Sequence, residues 1–178
     1  MAIANRFAKE EECLRFERFL SWLTLRGRRA STARSYRSDW QDLTIWFRRQ
    51  NGAPFDGKAM TGEMIAEWKS ASSRKGRSPS TVLRRMAFAR SYVSWLVSEG
   101  ILADEVEGAV RTQARLRRTD RGPRILPPTE VNRLLEHVNI RACHRDQAMI
   151  YVLLDSGLRI SELVTLDVGD VNFERGEL

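Results

Sequence analysis

The sequence predicts a mainly α protein in which a bundle of four helices precedes a shorter, mainly helical region. Apolar side chains recur at three- and four-residue spacing in four segments of the first hundred residues, as in helices that bury one face. These residues show no sustained alternation of apolar and polar side chains, which would indicate a strand. A hydrophobic fraction of 42% is sufficient for a packed core and argues against a disordered basic tail.

The first two predicted helices span residues 9–25 and 32–50. Gly27 follows the first and the pair Asn51-Gly52 ends the second, because glycine and asparagine readily adopt the left-handed conformation that closes a helix. Each helix carries one apolar face, made of Phe16, Phe19, Leu20 and Leu23 in the first and of Tyr36, Trp40, Leu43 and Phe47 in the second.

The third and fourth predicted helices span residues 62–71 and 79–99. Thr61 is a suitable N-cap for the third, whereas Ser78 caps the fourth and Pro79 takes its first position, where no backbone N–H is needed. Most of the five tryptophans lie on or beside the apolar faces, which favours core packing over stacking on nucleic-acid bases. The apolar face of the fourth helix consists of Val82, Met86, Ala89, Val93 and Leu96.

The charge is divided unevenly along the chain. Residues 1–125 carry a net charge of +11, residues 126–178 carry −4, and arginine outnumbers lysine by 26 to 4. The guanidinium group binds phosphate through two parallel hydrogen bonds, so an arginine-rich basic half favours a nucleic-acid partner. Solvated helix faces are the alternative explanation of the same charge.

The candidate DNA-contacting residues lie on two helix faces and in an arginine-rich segment. The predicted organisation is a bundle over residues 8–102, a linker over 103–124 and a second region over 125–178. Residues 111–124 hold six arginines and one aspartate, which suits either a segment that crosses a phosphate backbone or a plain charged connector. The candidates are Arg34, Arg37, Thr81, Arg84, Arg85, Arg115, Arg117 and Arg118.

Several other classes of protein and site do not fit the sequence. The longest apolar run, residues 149–154, is far shorter than the roughly 20 residues of a membrane span, and no secretory signal is present, so a cytoplasmic location is expected. Cys13 and Cys143 are far apart and indicate no disulfide framework. His137 and His144 near Cys143 lack the paired spacing of a zinc site, so no metal is expected.

The second region is predicted to begin with helices near residues 129–138, 143–155 and 160–166. An alternating segment from Val171 then reaches a turn, and a strand without a partner favours a truncated chain. The 53 residues from Leu126 onward are few for an independent core, so exposed apolar surface is expected there.

The most distinctive motif is Ser-Gly-Leu-Arg-Ile-Ser-Glu-Leu at residues 156–163. It places Arg159 at a junction between two predicted helices, with Glu162 one turn away to orient it. An arginine held in this way can stabilise the charge that develops on a phosphate. An ion pair that only stabilises the junction is the alternative.

This motif, followed by Leu166 and Asp170, resembles the first catalytic-arginine box of the tyrosine recombinases of the phage-integrase type. Leu126-Pro127 and Thr129-Glu130-Val131 resemble the entry to that family's catalytic domain. Upstream, the family's helical, SAM-like core-binding domain is resembled by Thr32, Tyr36, Asp39, Ser80-Thr81-Val82, Arg84-Arg85 and Arg90-Ser91-Tyr92. The resemblance covers roughly residues 10–178.

The resemblance implies a function in cutting and rejoining double-stranded DNA through a 3′-phosphotyrosine, without a metal or cofactor. Arg159 would contact the scissile phosphate with Glu162 as its supporting neighbour, and full-length copies would associate on DNA. The family's lysine, His-x-x-Arg box and tyrosine nucleophile lie downstream of these motifs, so the 178-residue chain is expected to be inactive alone. A natural non-catalytic DNA-binding protein and a helical protein-interaction module are the alternatives.

Overall fold

The computed structural model describes residues 7–115, 122, 125–172 and 174–177. The chain divides into two compact units, Met1–Asp120 and Arg121–Leu178. In the first unit the helices are α1 (Glu10–Leu25), α2 (Ala30–Asn51), α3 (Gly62–Arg74), α4 (Pro79–Ser98) and α5 (Asp104–Gln113). In the second they are α6 (Pro128–Arg141), α7 (His144–Ser156) and α8 (Ile160–Leu163). The mainly α fold class predicted from the sequence is confirmed.

The predicted capping residues begin α3 and α4. Thr61 accepts a hydrogen bond at its side-chain oxygen from the backbone N–H of Met64 at 3.1 Å. Ser78 does the same for Thr81 at 3.3 Å, and Pro79 occupies the first turn of α4. These side chains satisfy backbone donors that have no partner within the helix, which explains why the helices begin where the sequence predicts.

The core of the first unit is a cluster of stacked and edge-to-face aromatic rings. Phe16 of α1 stacks on Trp40 of α2 with ring centroids 4.3 Å apart, and Phe88 stacks on Tyr92 within α4 at 5.8 Å. Four of the five tryptophans are buried, which confirms the expectation of core packing, and Trp22 alone is partly exposed. The buried tryptophans are Trp40, Trp46, Trp68 and Trp95.

A buried carboxylate joins α1 to α4. Glu12 is fully buried and accepts hydrogen bonds from the hydroxyl of Tyr92, from Arg15 and, at 2.9 Å, from the backbone N–H of Gly57. Burial raises the pKa of Glu12 above its ordinary value, although these hydrogen bonds favour the charged form. A β-carbon at Gly57 would lie 3.0 Å from the Glu12 oxygens, so the absence of a side chain permits this contact.

The structure differs from the predicted linker over residues 103–124, because α5 occupies its first part. This helix packs against α3 and α4 and buries Val110 fully. At Gly62 of α3 a β-carbon would lie 3.0 Å from that of Ala109, which shows how closely the two helices approach. Lys69 of α3 donates to the backbone carbonyls of Gln113 and Arg115 at 3.0 and 2.8 Å and so caps the end of α5.

The described apolar side chains of the second unit are, with one exception, exposed or only partly buried. Val138 is its single buried hydrophobic residue among those described, which confirms the expectation of exposed apolar surface. The alternating segment from Val171 forms an isolated bridge between Asn172 and Glu177, and no longer strand is present in the described part of this unit. The exposed large hydrophobic residues of this unit are Ile125, Leu126, Leu134, Ile140, Tyr151, Leu154, Ile160, Val164 and Val168.

Candidate nucleic-acid interface

Arg84 of α4 lies against α2 and remains partly exposed. Its Nη1 atom donates to the backbone carbonyl of Ser35 at 3.0 Å and to the carboxylate of Asp39. The Arg84 side chain is 38% exposed, whereas that of Asp39 is 1% exposed. Arg84 therefore combines a fixed position with access to solvent, as a phosphate-binding arginine requires.

Arg85, which the sequence places beside Arg84 as a DNA contact, points into the bundle. Its side chain is only 6% exposed and pairs with Asp42 at 2.8 Å, while Nη1 donates to the hydroxyl of Ser72 at 2.8 Å. The guanidinium also lies over the ring of Trp68, 5.6 Å from its centroid. The structure thus gives Arg85 a role in joining α2, α3 and α4 and corrects the expectation that it is exposed.

Arg34 and Arg37 do not lie with Arg84 on one side of α2. The Arg37 guanidinium is bound to Glu17 of α1 at 3.0 Å. Positions 37 and 39 of a helix point about 160° apart, so Arg37 lies away from Asp39, the side chain that binds Arg84. Arg34 is exposed on α2. Of this predicted pair, Arg34 is the residue whose charge faces solvent without an ion-pair partner among the described residues.

The start of α4 is rich in hydroxyl groups and follows a basic turn. The Ser78 hydroxyl lies 3.0 Å from that of Ser80 and 2.9 Å from that of Thr81, so the predicted contact Thr81 belongs to a hydrogen-bonded group at the helix N-terminus. Helix N-termini favour anions, and a basic turn beside them adds to this preference. The exposed cations of this turn are Arg74, Lys75 and Arg77.

Two further arginines lie near α2 and α4 and are absent from the DNA contacts predicted from the sequence. Arg28 and Arg90 are both exposed, and both act electrostatically on Tyr36 of α2. Burial raises the pKa of Tyr36, and the two positive charges oppose this effect. Arg28 precedes α2 and Arg90 lies on α4, far apart in the sequence. Only the packing of the two helices brings both near Tyr36, so no sequence motif marks them as a pair.

The arginine-rich segment is only partly described by the structure. Arg115 is exposed directly after α5, and its backbone carbonyl is one of the two that Lys69 binds. The predicted contacts Arg117 and Arg118 lie outside the described residues.

Arg159 lies in the second unit, directly before α8. Its backbone N–H donates to one carboxylate oxygen of Glu162 at 2.8 Å, and its Nη1 donates to the other at 3.1 Å. Gly157, with φ of 66°, ends α7 in the left-handed conformation two residues earlier. The Arg159 side chain is 81% exposed, so the predicted pairing with Glu162 is present and leaves most of the guanidinium accessible.

The described residues offer no centre for a metal ion and no membrane-spanning helix. They contain no group of three or more histidine, cysteine, aspartate or glutamate side chains arranged to hold a metal. No helix in the described part of the chain has the length and apolar character needed to cross a bilayer.

Two family models match the chain in succession. Residues 16–100 match the model described as phage integrase, N-terminal SAM-like domain, and residues 124–178 match the model described as phage integrase family. The first match covers most of the helical bundle. The second contains the Arg159 motif.

Curated relatives match across both parts. Tyrosine recombinase XerC of Xanthomonas campestris pv. campestris (strain B100) is 31% identical over 162 residues, which are 90% of this chain and 49% of the relative. The protein of the same name from Escherichia coli O157:H7 is 30% identical over 167 residues, 91% of this chain and 53% of the relative. That from Salmonella typhi is 38% identical over 121 residues, 65% of this chain and 38% of the relative.

The chain spans about half the length of the curated relatives it matches. The order of the two matches along the chain agrees with the helical unit before residue 121 and the unit that holds Arg159 after it. This chain belongs to the phage-integrase family of tyrosine recombinases, with the family's N-terminal SAM-like, core-binding domain followed by the start of its catalytic domain.

Proposed function

We propose that this chain binds double-stranded DNA through one surface of the helical bundle, as the N-terminal part of a site-specific recombinase. The observation that carries the proposal is the convergence of exposed and half-exposed cations where α2 meets α4. Electrostatic contacts to phosphates supply most of the sequence-independent affinity of DNA-binding proteins. We call this the α2–α4 surface, made of Arg28, Tyr36, Thr81, Arg84 and Arg90. Arg34 is exposed elsewhere on α2 and is a separate candidate contact.

The arginine-rich segment over residues 111–124 is proposed to extend this contact along the phosphate backbone. Its first residues belong to α5, and Lys69 binds the backbone carbonyl of Arg115, so the described start of the segment is fixed to the bundle. Phosphate contacts of this kind position a protein on DNA without reading its sequence.

Arg159 is proposed to contact the scissile phosphate, with Glu162 orienting it. The two hydrogen bonds from Arg159 to the Glu162 carboxylate hold the backbone and one guanidinium nitrogen, and the remaining donors stay exposed. Donors that are oriented in advance stabilise developing phosphate charge without reorganisation. In the complete reaction the family exchanges DNA strands through a 3′-phosphotyrosine, and copies of the recombinase are proposed to associate on the DNA.

The test is the affinity for a dye-labelled duplex, measured by anisotropy at several salt concentrations. Arg84→Ala and Arg34→Ala are each expected to weaken binding and to reduce the slope of log K against log salt by about one unit. Arg18→Ala is the matched control, because Arg18 of α1 is 69% exposed and pairs with Glu99, away from the α2–α4 surface. Equal affinities and slopes for all three variants would show that DNA binds elsewhere or not at all.

A further inference from the structure

Asp39 of α2 is a buried carboxylate between two arginines whose other contacts differ. On one side Arg85 lies with Nε 3.8 Å from the carboxylate, but its main partners are Asp42 and Ser72. On the other side Arg84 has Asp39 as its only ion-pair partner among the described residues. Asp39 therefore mainly determines the position of the partly exposed Arg84, whereas the buried Arg85 is held by Asp42 and Ser72.

The geometry leaves one edge of Arg84 available. Both of its hydrogen bonds leave from Nη1, to Ser35 and Asp39, and Nε and Nη2 make none within the described structure. A guanidinium binds phosphate through two parallel donors, and it loses less conformational freedom on binding when its position is already fixed. Asp39 fixes Arg84 in this way from beneath the surface.

We infer that Asp39 is a positioning residue for DNA binding, which holds Arg84 toward the phosphate backbone and whose ionisation sets the charge that the DNA meets there. The inference rests on the proposed function and adds that the ionisation of Asp39 regulates the DNA affinity of the α2–α4 surface. Asp39 touches no DNA itself, because it is 1% exposed.

The charges around Asp39 determine the direction of the effect. Arg84 and Arg85 of α4 face the carboxylate, and Asp42 and Tyr36 lie near it on α2. Burial raises the pKa of Asp39 to about 6, against the two arginines, which lower it. A phosphate bound to Arg84 adds negative charge close to Asp39 and favours its protonated form. DNA binding is therefore coupled to proton uptake, and the affinity rises as the pH falls through about 6.

Protonation does not release Arg84 completely. A protonated carboxyl keeps an oxygen that accepts a hydrogen bond, and the Ser35 carbonyl still holds Nη1. The change at acidic pH is thus mainly the loss of one negative charge beneath the surface.

The experiment compares the chain with Asp39→Asn from pH 5 to pH 8 at constant ionic strength, by anisotropy with one duplex. The affinity of the protein that keeps Asp39 is expected to rise about two- to fivefold between pH 7.5 and pH 5.5. Asp39→Asn keeps an acceptor for Arg84 but has no charge to titrate, so its affinity is expected to be independent of pH. So that no histidine contributes to the pH profile, both proteins also carry His137→Gln and His144→Gln.

A second measurement needs no substitution at Asp39. Carbon-13 NMR of aspartate-labelled protein is expected to show the assigned Asp39 carboxyl titrating near pH 6, with its midpoint moving upward when the duplex is added. A midpoint unchanged by DNA, or the same pH profile of affinity in Asp39→Asn, would overturn the inference. Absence of DNA binding at every pH would instead refute the proposed function.

Discussion

The hydroxyl of Tyr92 on α4 donates a hydrogen bond to the carboxylate of Glu12 on α1, 80 positions earlier in the chain. The same carboxylate receives Arg15 and the backbone N–H of Gly57, so one fully buried group joins two helices and the loop before α3. A buried acceptor that loses a donor keeps its desolvation penalty, which makes such a centre sensitive to small changes.

Removing this hydroxyl is expected to destabilise the bundle. Tyr92→Phe keeps the ring packing but deprives Glu12 of one donor, which should lower the free energy of unfolding by about 1–3 kcal/mol. Urea denaturation followed by circular dichroism measures the change. The matched control is Tyr151→Phe, since Tyr151 is partly exposed and donates to Asn139, and its effect is expected to stay below about 0.5 kcal/mol. Equal effects would show that the buried bond contributes no special stability.

The same tyrosine makes the stability fall at alkaline pH. Burial and the neighbouring Glu12 charge raise the pKa of Tyr92 well above 10.0. The folded protein then holds the phenolic proton more tightly than the unfolded chain does, so this stability is present below pH 10 and is lost as the pH rises through the folded-state pKa. Thermal unfolding between pH 9 and pH 11 is expected to show a steeper decline for the unsubstituted chain than for Tyr92→Phe. Parallel declines would contradict this assignment.

Two glycines near the α3–α5 contact should respond in opposite directions to alanine. At Gly62 a β-carbon would lie 3.0 Å from that of Ala109 and 3.2 Å from its backbone carbon, so Gly62→Ala must separate the helices and is expected to cost about 1–3 kcal/mol. Gly108 lies inside α5 with nothing within 4 Å of the added carbon. Gly108→Ala should therefore stabilise the protein by about 0.5–1 kcal/mol. Urea denaturation of both variants tests whether α5 is packed as described.

Arg84 and Arg85 are adjacent, yet their replacement should affect different properties. Arg85→Ala removes the partner of Asp42 inside the bundle and is expected to cost on the order of 3 kcal/mol of stability. Arg84→Ala removes a partner of the buried Asp39 and is expected to lower the stability as well, although Arg85 stays beside that carboxylate. Of the two substitutions, only Arg84→Ala should also weaken DNA binding. Circular dichroism and duplex anisotropy on both variants separate the two effects. If Arg85→Ala were fully stable but bound DNA more weakly, Arg85 would instead be a DNA contact.

The three tyrosines of the chain are not placed as nucleophiles. Tyr92 is buried, Tyr36 stacks on Phe19 within the bundle, and Tyr151 donates its hydroxyl to Asn139. A nucleophilic tyrosine requires positioned acid and base groups beside it. The 178-residue chain is therefore expected to form no covalent adduct with a nicked duplex, as judged by denaturing electrophoresis. An adduct that survives denaturation would contradict this expectation.

The sequence predicts the four main helices because each carries its own local signals. Thr61, Ser78 and Pro79 define where α3 and α4 begin, and Gly52 ends α2 in the left-handed conformation. These signals act within a few residues and do not depend on tertiary structure. The Arg159–Glu162 pairing is predictable for the same reason, since the two residues lie one helical turn apart.

Which charged side chains are buried and which are exposed cannot be predicted in the same way. Arg84 and Arg85 look equivalent in the sequence, but helix packing turns Arg85 toward Asp42 and Ser72, which lie on two other helices. The sequence predicts a linker where the structure has α5, because arginines dominate residues 111–124. Its own signals are short: an acidic first turn and the pair Val106 and Val110 at helical spacing.

The concentration of tryptophan in the aromatic core has an optical consequence. All five tryptophans belong to the unit before residue 121, and the sequence after it contains none. Indole emission therefore reports only on the bundle. With excitation selective for tryptophan, unfolding of the first unit changes the emission. The unit that holds Arg159 contributes no tryptophan emission of its own.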